Sequence, residues 1–192
     1  LTHVENPFSV ALEGDGFFQI RTESGELQYT RDGSFEISPV ANGNMLCTSD
    51  GNPVLDAYGN QIILPSNRVA TDLVVNQDGT LAFPDGTGNP AVITDANGRP
   101  VKFGIYQFNN PAGLSKEGSN NYSVTVASGA AVAENGNAAV KQTKTHQYYT
   151  EASNVDVANE MVNLIVAQRA YEMNSKAIQA SDEMMQQANA LR

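Results

Sequence analysis

Two histidines, one cysteine and a scatter of carboxylates are the residues of this 192-residue chain with the types to do chemistry. His3 lies near the start and His146 in a Thr- and Gln-rich stretch, and neither belongs to a Ser/His/Asp arrangement recognisable as a triad. Cys47 stands alone, so an internal disulfide is impossible, and no CxxC or Cys/His cluster offers a zinc site. Glu13 and Asp15 are a carboxylate pair of the kind acid–base catalysis uses, but they flank Gly14 in a turn sequence. Asp95-Ala96-Asn97-Gly98 resembles the start of a calcium loop; the Glu that closes such a loop, at about 12 residues, is lacking because position 106 is Tyr. Gly14-Asp15-Gly16 leads into strand-like residues and not into a helix, unlike a phosphate-binding loop. The expectation is a protein with no catalytic site, no metal and no cofactor.

Charge narrows the partners. The net charge is −10, and residues 1–100 hold 4 Lys and Arg against 13 Asp and Glu. Binding to nucleic acid or to an anionic membrane surface needs clustered cations, so neither is expected. No run of apolar residues is long enough to span a bilayer, and no basic-then-apolar leader opens the chain at Leu1.

The elements that must position these residues fall into two parts, 1–150 and 151–192. In the first, 16 Gly in the chain, with Pro, Asn and Asp, punctuate short apolar runs. Phe8–Glu13 and Phe17–Thr22 read as strands around Gly14-Asp15-Gly16. Leu27–Arg31 and Ser34–Ile37 flank Asp32-Gly33, a two-residue hairpin signal. Further strands are expected at Met45–Thr48, Pro53–Asp56, Gln61–Leu64, Leu73–Asn76, Thr80–Phe83, Ala91–Asp95, Val101–Gln107, Tyr122–Val126 and Val140–Tyr149. Residues 84–90 read as an exposed loop, and the Ala-, Gly- and Asn-rich residues 127–139 as a disordered or mobile connection. The sum is mainly β: an antiparallel β-sandwich or irregular barrel body.

The second part is almost free of helix breakers. Ser153 and Asp156 form a capping box, and a single helix is expected from there to about Leu191, roughly 55 Å long. Val157, Leu164, Tyr171, Ile178 and Met185 recur every seven residues, with Ala170, Ala177, Met184 and Leu191 beside them. That is a coiled-coil-like seam, longer than a small β-body can cover, so a partner helix is expected. Glu172 and Lys176, spaced i,i+4, support the helix slightly.

In Tyr29-Thr30-Arg31-Asp32-Gly33-Ser34-Phe35, alternation puts Tyr29 and Arg31 on one face, and the segment reads either as a hairpin with an aromatic packed against a cross-strand neighbour or as one whose Arg31 contacts another subunit. The same segment carries a resemblance. Asn6 to Phe18 is similar to the NP-x-D-x-A-I-x-G-x-GFF opening of flagellar basal-body rod and hook proteins, with Ser9 where that family usually has Asp. Tyr29 to Phe35 resembles the family's YTRDGSF motif. Asp50 to Leu55, Ile63 to Pro65 and Asp78 to Leu81 resemble the segments that follow it. Glu151 to Asp156 is similar to E-x-SNV-(D/N), and Gln168 to Ala177 resembles QRAYE-x-NSKA, nearest the distal rod members. The resemblance runs from about residue 6 to 192 and is weakest over 84–140.

This resemblance implies a structural subunit, exported unfolded through the flagellar type III apparatus, that self-assembles with helical symmetry and joins neighbouring rod and hook proteins. It implies a location in the flagellar basal body, outside the cytoplasmic membrane, and paired N- and C-terminal helices inside an outer β-layer. The family's N-terminal helix has no counterpart from Leu1 onward. The expected assembly contacts are Val157, Leu164, Tyr171, Ile178 and Met185 on the seam, with Arg31 and Arg169. Two rival readings are a β-rich extracellular carbohydrate or adhesion module and a cell-wall enzyme. The first has no use for a heptad helix, and the second needs a cleft acid or metal triad that the chain lacks.

Overall fold

The computed structural model describes residues 1–85, 90–137, 139–152 and 157–190. The chain divides into two compact units, Leu1–Ala152 and Ser153–Arg192. Among the described residues the first carries sixteen short strands: β1 (Thr2–His3), β2 (Val10–Glu13), β3 (Phe17–Arg21), β4 (Leu27–Thr30), β5 (Glu36–Val40), β6 (Gly43–Cys47), β7 (Ile63–Leu64) and β8 (Val74–Val75). They continue as β9 (Leu81–Pro84), β10 (Pro90–Val92), β11 (Ile105–Gln107), β12 (Ser115–Gly118), β13 (Asn121–Ser123), β14 (Val132–Ala133), β15 (Lys144–Gln147) and β16 (Tyr149–Thr150). The second unit is one helix, α1 (Val157–Ala190). The antiparallel β-body with a long C-terminal helix is as expected, but the described strands form five separate sheets, not a closed barrel. The largest has the order β12-β13-β4-β3-β11-β14.

Turn chemistry explains why so many short strands form. Five segments share one geometry, beginning at Thr22, Thr48, Asp56, Asn76 and Asp95. In each, the first residue's N–H donates to the fifth residue's carbonyl, and the N–H of a glycine at the fourth position donates back to the first. Those glycines, Gly25, Gly51, Gly59, Gly79 and Gly98, all have φ between 76° and 86°, which costs other residues a clash at Cβ. The opening side chain often completes the turn: Asp95 Oδ1 accepts from the N–H groups of Asn97 and Arg99, both at 2.8 Å. The sequence that resembled a calcium loop is this turn, its carboxylate already spent on backbone N–H groups and on the Arg99 guanidinium.

Asp32-Gly33 is the exception. The expected hairpin is not formed: β4 pairs with β3 and β13, whereas β5 pairs with β6. Gly33 is not among the left-handed glycines. Its carbonyl instead accepts from Val10 N–H at 3.0 Å, and Ser34 bridges Ser9, so the chain passes between sheets here. Likewise β2 and β3 do not pair across Gly14-Asp15-Gly16; β2 lies against β15 and β3 against β4 and β11.

Alternation along β3 builds two cores from adjacent residues. Phe18 packs with Phe35 and Phe103, ring centroids 5.0 and 5.2 Å away, in the main core with Val10, Leu12, Ile20 and Leu64. Phe17 points the other way, to Phe108 at 5.5 Å, in a smaller cluster with Tyr29 and Leu114. The stretch 127–139, expected to be a disordered or mobile connection, contributes ordered structure among its described residues. β14 pairs with β11, and Glu134 is buried. The Glu134 carboxylate accepts from Thr143 N–H at 2.7 Å, Thr143 Oγ1 at 2.6 Å and Gln107 Nε2 at 2.8 Å. A composition count misses this because one buried, fully bonded acid anchors an otherwise bland segment. Most of the expected loop 84–90, the capping box at Ser153 and Asp156, and Leu191 lie outside the described residues.

Candidate assembly surface

α1 is 34 residues long, about 51 Å at ~1.5 Å per residue. Every described side chain on it is exposed. Of the residues in the expected heptad seam, Leu164, Tyr171, Ile178 and Met185 are 58%, 79%, 63% and 61% exposed. Val157 is the first residue of the helix. The second row read from the sequence, with Ala170, Ala177 and Met184, extends to further apolar residues. Val162, Val166, Met173 and Met184 are also exposed, and at ~100° per residue they lie about 145° around the axis from the seam. Ala170 and Ala177 belong with this row. These further members are legible in the sequence in the i, i+4, i+11 spacing of Val162, Val166 and Met173. Arg169, Glu172, Lys176 and Glu183 share a charged stripe on the wider arc between the rows, and Asn163, Asn174 and Ser181 occupy the narrower one. Exposed apolar side chains in two rows of this length are uncommon on a monomer's surface and mark an interaction surface.

Arg31 sits differently. Its Nε donates to Glu151 Oε2 at 2.9 Å, and one terminal nitrogen donates to the carbonyls of Gly14 at 2.9 Å and Gly16 at 3.1 Å. The guanidinium also lies over the Phe17 ring, 5.6 Å from its centroid. It is engaged inside its own unit, 29% exposed.

The chemistry-bearing residues are spent on structure. His146 Nε2 is 2.7 Å from Glu13 Oε2 across the β2·β15 pair, and His3 packs edge-on against Tyr149, ring centroids 5.3 Å apart. Cys47 is buried, and burial pushes its thiol up from the ordinary range. A surface groove lined by Asp56, Asn60, Gln61, Asp95 and Asn97 has both carboxylates bonded within their turns. Among the described residues no three His, Cys, Asp or Glu side chains stand together as metal ligands, and no helix is long and apolar enough to cross a membrane.

The hydrogen bond from His146, with its charge, holds the Glu13 carboxyl below the usual carboxylate range. A carboxyl depressed in the folded state stabilises the fold above its unfolded pKa, and that contribution is lost as pH falls through the folded value. Glu13→Gln should therefore melt slightly below the parent at about pH 7, and the gap should close in acid. Melting curves across pH check this; a gap that widens in acid contradicts it.

Among the described residues the β-body holds no cluster of metal-ligating side chains, and the long helix bears two exposed apolar rows. Comparison with known proteins places the chain in a family. Residues 11–83 match the family described as "Flagellar hook protein FlgE/F/G D1 domain", and residues 146–191 match "Flagellar basal body rod FlgEFG protein C-terminal". The chain is 40% identical over 187 residues to the flagellar basal-body rod protein FlgG of Borreliella burgdorferi, covering 95% of this chain and 64% of that protein. It is 36% identical over 193 residues to FlgG of Caulobacter vibrioides, covering 100% of this chain and 67% of that one. It is 37% identical over 173 residues to the flagellar hook-basal body complex protein FlhP of Bacillus subtilis, covering 88% and 59%. The chain belongs to the flagellar basal-body rod FlgE/F/G family. It spans 64% of the length of the first of these relatives.

Proposed function

We propose that this chain is a structural subunit of the bacterial flagellar rod, of the distal type, and not an enzyme. Copies self-assemble with helical symmetry, meet neighbouring rod and hook proteins, and form the axial shaft that transmits torque to the hook. Residues 1–150 serve as the rod body and 151–192 as the assembly helix. The subunit works in the basal body, outside the cytoplasmic membrane, after type III export.

The observation that carries this reading is α1: a helix of 34 residues whose apolar residues are all exposed where described. Leu164, Tyr171, Ile178 and Met185, with Val157 leading the row, take one neighbouring helix. Val162, Val166, Met173 and Met184 take another, and Arg169 on the charged stripe contributes polar contacts. Two apolar rows fit a helix enclosed between neighbours, as in a closed layer of helices, better than a single paired coil. The similarity to FlgG proteins over nearly the whole chain supports the same reading. Electron microscopy and sedimentation of the full-length protein test it. Tubes or filaments are expected, and a strictly monomeric full-length protein under all assembly conditions would overturn it.

A further inference from the structure

Two loops of the β-body are laced together at the edge of its largest sheet. β12 and β13 are the two strands at that edge, and Ser115 faces Ser123 at the end of their ladder. Just beyond, one loop turns at Pro111–Gly113 and the other at residues 124–128. Thr125 Oγ1 donates to Gly113 O and accepts from the N–H groups of Ala127 and Ser128 at 3.1 and 3.2 Å. Ser128 is fully buried, and its Oγ accepts from Thr125 N–H at 3.0 Å. Asn110 Nδ2 donates to Ala127 O at 3.0 Å, and Asn110 N–H donates to Ser128 O at 3.3 Å. The loops lie so close that a Cβ at Gly113 would stand 2.7 Å from the backbone of Ala127 and Ser128. Leu114 anchors them in the cluster with Phe17, Tyr29 and Phe108. Together they make one firm knuckle.

What the knuckle displays is apolar. Val126 is 104% exposed and Val124 43%. Pro111, Ala112 and Ala127 are exposed as well. Single exposed apolar residues are ordinary on a protein surface, but five on one rigid knuckle form a patch. The turn itself does not ask for them, because its bonds come from Thr125, Ser128 and Asn110. The surroundings are also free of charge. Residues 103–115 and 118–133 hold no Asp, Glu, Lys or Arg, in a chain of which 17% is charged and whose net charge is −10.

We propose that this knuckle, with Val126 at its tip, is a contact by which the β-body of one copy meets a second copy of this chain. Charge selects that occupant. A partner of opposite sign would be drawn to the acidic part of the body, whereas two copies of a chain at −10 repel one another wherever their charged faces approach. A charge-free apolar knuckle is where like copies touch at least cost. Its rigidity favours the same role, since a loop already held by its own hydrogen bonds loses little entropy on docking. The proposal rests on the rod reading above and adds a β-body contact to those of α1. In a helical stack the contact is head-to-tail, so the knuckle seats on a different patch of the next copy.

Polymerisation of the full-length protein tests the contact. Val126→Asp is expected to raise the critical concentration at least about tenfold, because a carboxylate would be taken out of water at every copy's contact. Val126→Thr keeps the shape and replaces one methyl by a hydroxyl, and should raise it about threefold. Neither should move the melting of the β-body, since the side chain is fully exposed. A photo-crosslinking residue in place of Val126 should join two copies in the polymer. An unchanged critical concentration in Val126→Asp, or a crosslink that stays within one chain, overturns the proposal. A lowered melt in both variants also overturns it, by making Val126 part of the fold. A parental protein that never polymerises sinks the rod reading instead, and sedimentation of this chain then decides the knuckle. Self-association that Val126→Asp abolishes supports the contact, and sedimentation independent of concentration ends it.

Discussion

Ile178→Asp is expected to leave the melting of the β-body where it is and to abolish assembly of the full-length protein, and with it swimming. Ile178 lies on α1, outside the unit Leu1–Ala152, and is 63% exposed in the free chain. An aspartate there is solvated, so the free chain loses only a little helix propensity, under about 1 kcal/mol. In an assembled layer of helices the same position is enclosed, and an unpaired carboxylate would be taken out of water at a cost of several kcal/mol per subunit. Repeated in every copy, that cost defeats polymerisation. Met173→Asp on the second row separates one partner from two: if both rows are enclosed, it is as damaging as Ile178→Asp. Thermal melting with a motility assay decides the matter. A collapsed melt with normal swimming would place Ile178 in a folding core and end the assembly reading.

Gly33→Ala is expected to destabilise the body by about 4 kcal/mol, lowering its Tm by roughly 8–16 °C. A Cβ at Gly33 would stand 1.8 Å from the Val10 carbonyl oxygen and 2.8 Å from its carbon. Both are backbone atoms of β2, a core strand, and cannot step aside as the end of a side chain can. Relief requires β2 and the 33–34 crossing to separate, which stretches the bond from Val10 N–H to Gly33 O. Gly25→Ala is the control. Gly25 has φ of 86° but nothing within 4 Å of an added Cβ, so it reports left-handed strain alone, about 1 kcal/mol. Equal losses in the two variants would mean that the close approach at Gly33 is not what demands glycine.

Much of this molecule can be read from short-range pattern. Turns at 48–52, 56–60, 76–80 and 95–99 follow from a Thr, Asp or Asn three residues before a glycine, because both the left-handed φ and the capping oxygen are local needs. α1 follows from an unbroken run with heptad spacing, and its seam from the same spacing. The order of motifs along the chain carries the family. These features depend on residues within a few positions of one another, and that is why they are visible in one dimension.

The remainder depends on contacts whose partners lie far apart in the chain. Thr30-Arg31-Asp32-Gly33 has the same local pattern as the five regular turns, yet it forms none of them, because Gly33 bonds Val10 and Arg31 reaches Gly14, Gly16 and Glu151. Which strand pairs with which was equally hidden: β2 finds β15, more than a hundred residues on, and not its neighbour β3. Glu134, set in a stretch of Ala, Gly and Asn, looks like a solvated charge until Thr143 and Gln107 surround it. Arg31 read as an outward contact because alternation assigns a side chain to a face but not to a partner, and Glu151 is 120 positions away. Loop closure over such distances is decided by the whole core folding at once, so local propensity proposes the elements and the three-dimensional packing selects their partners.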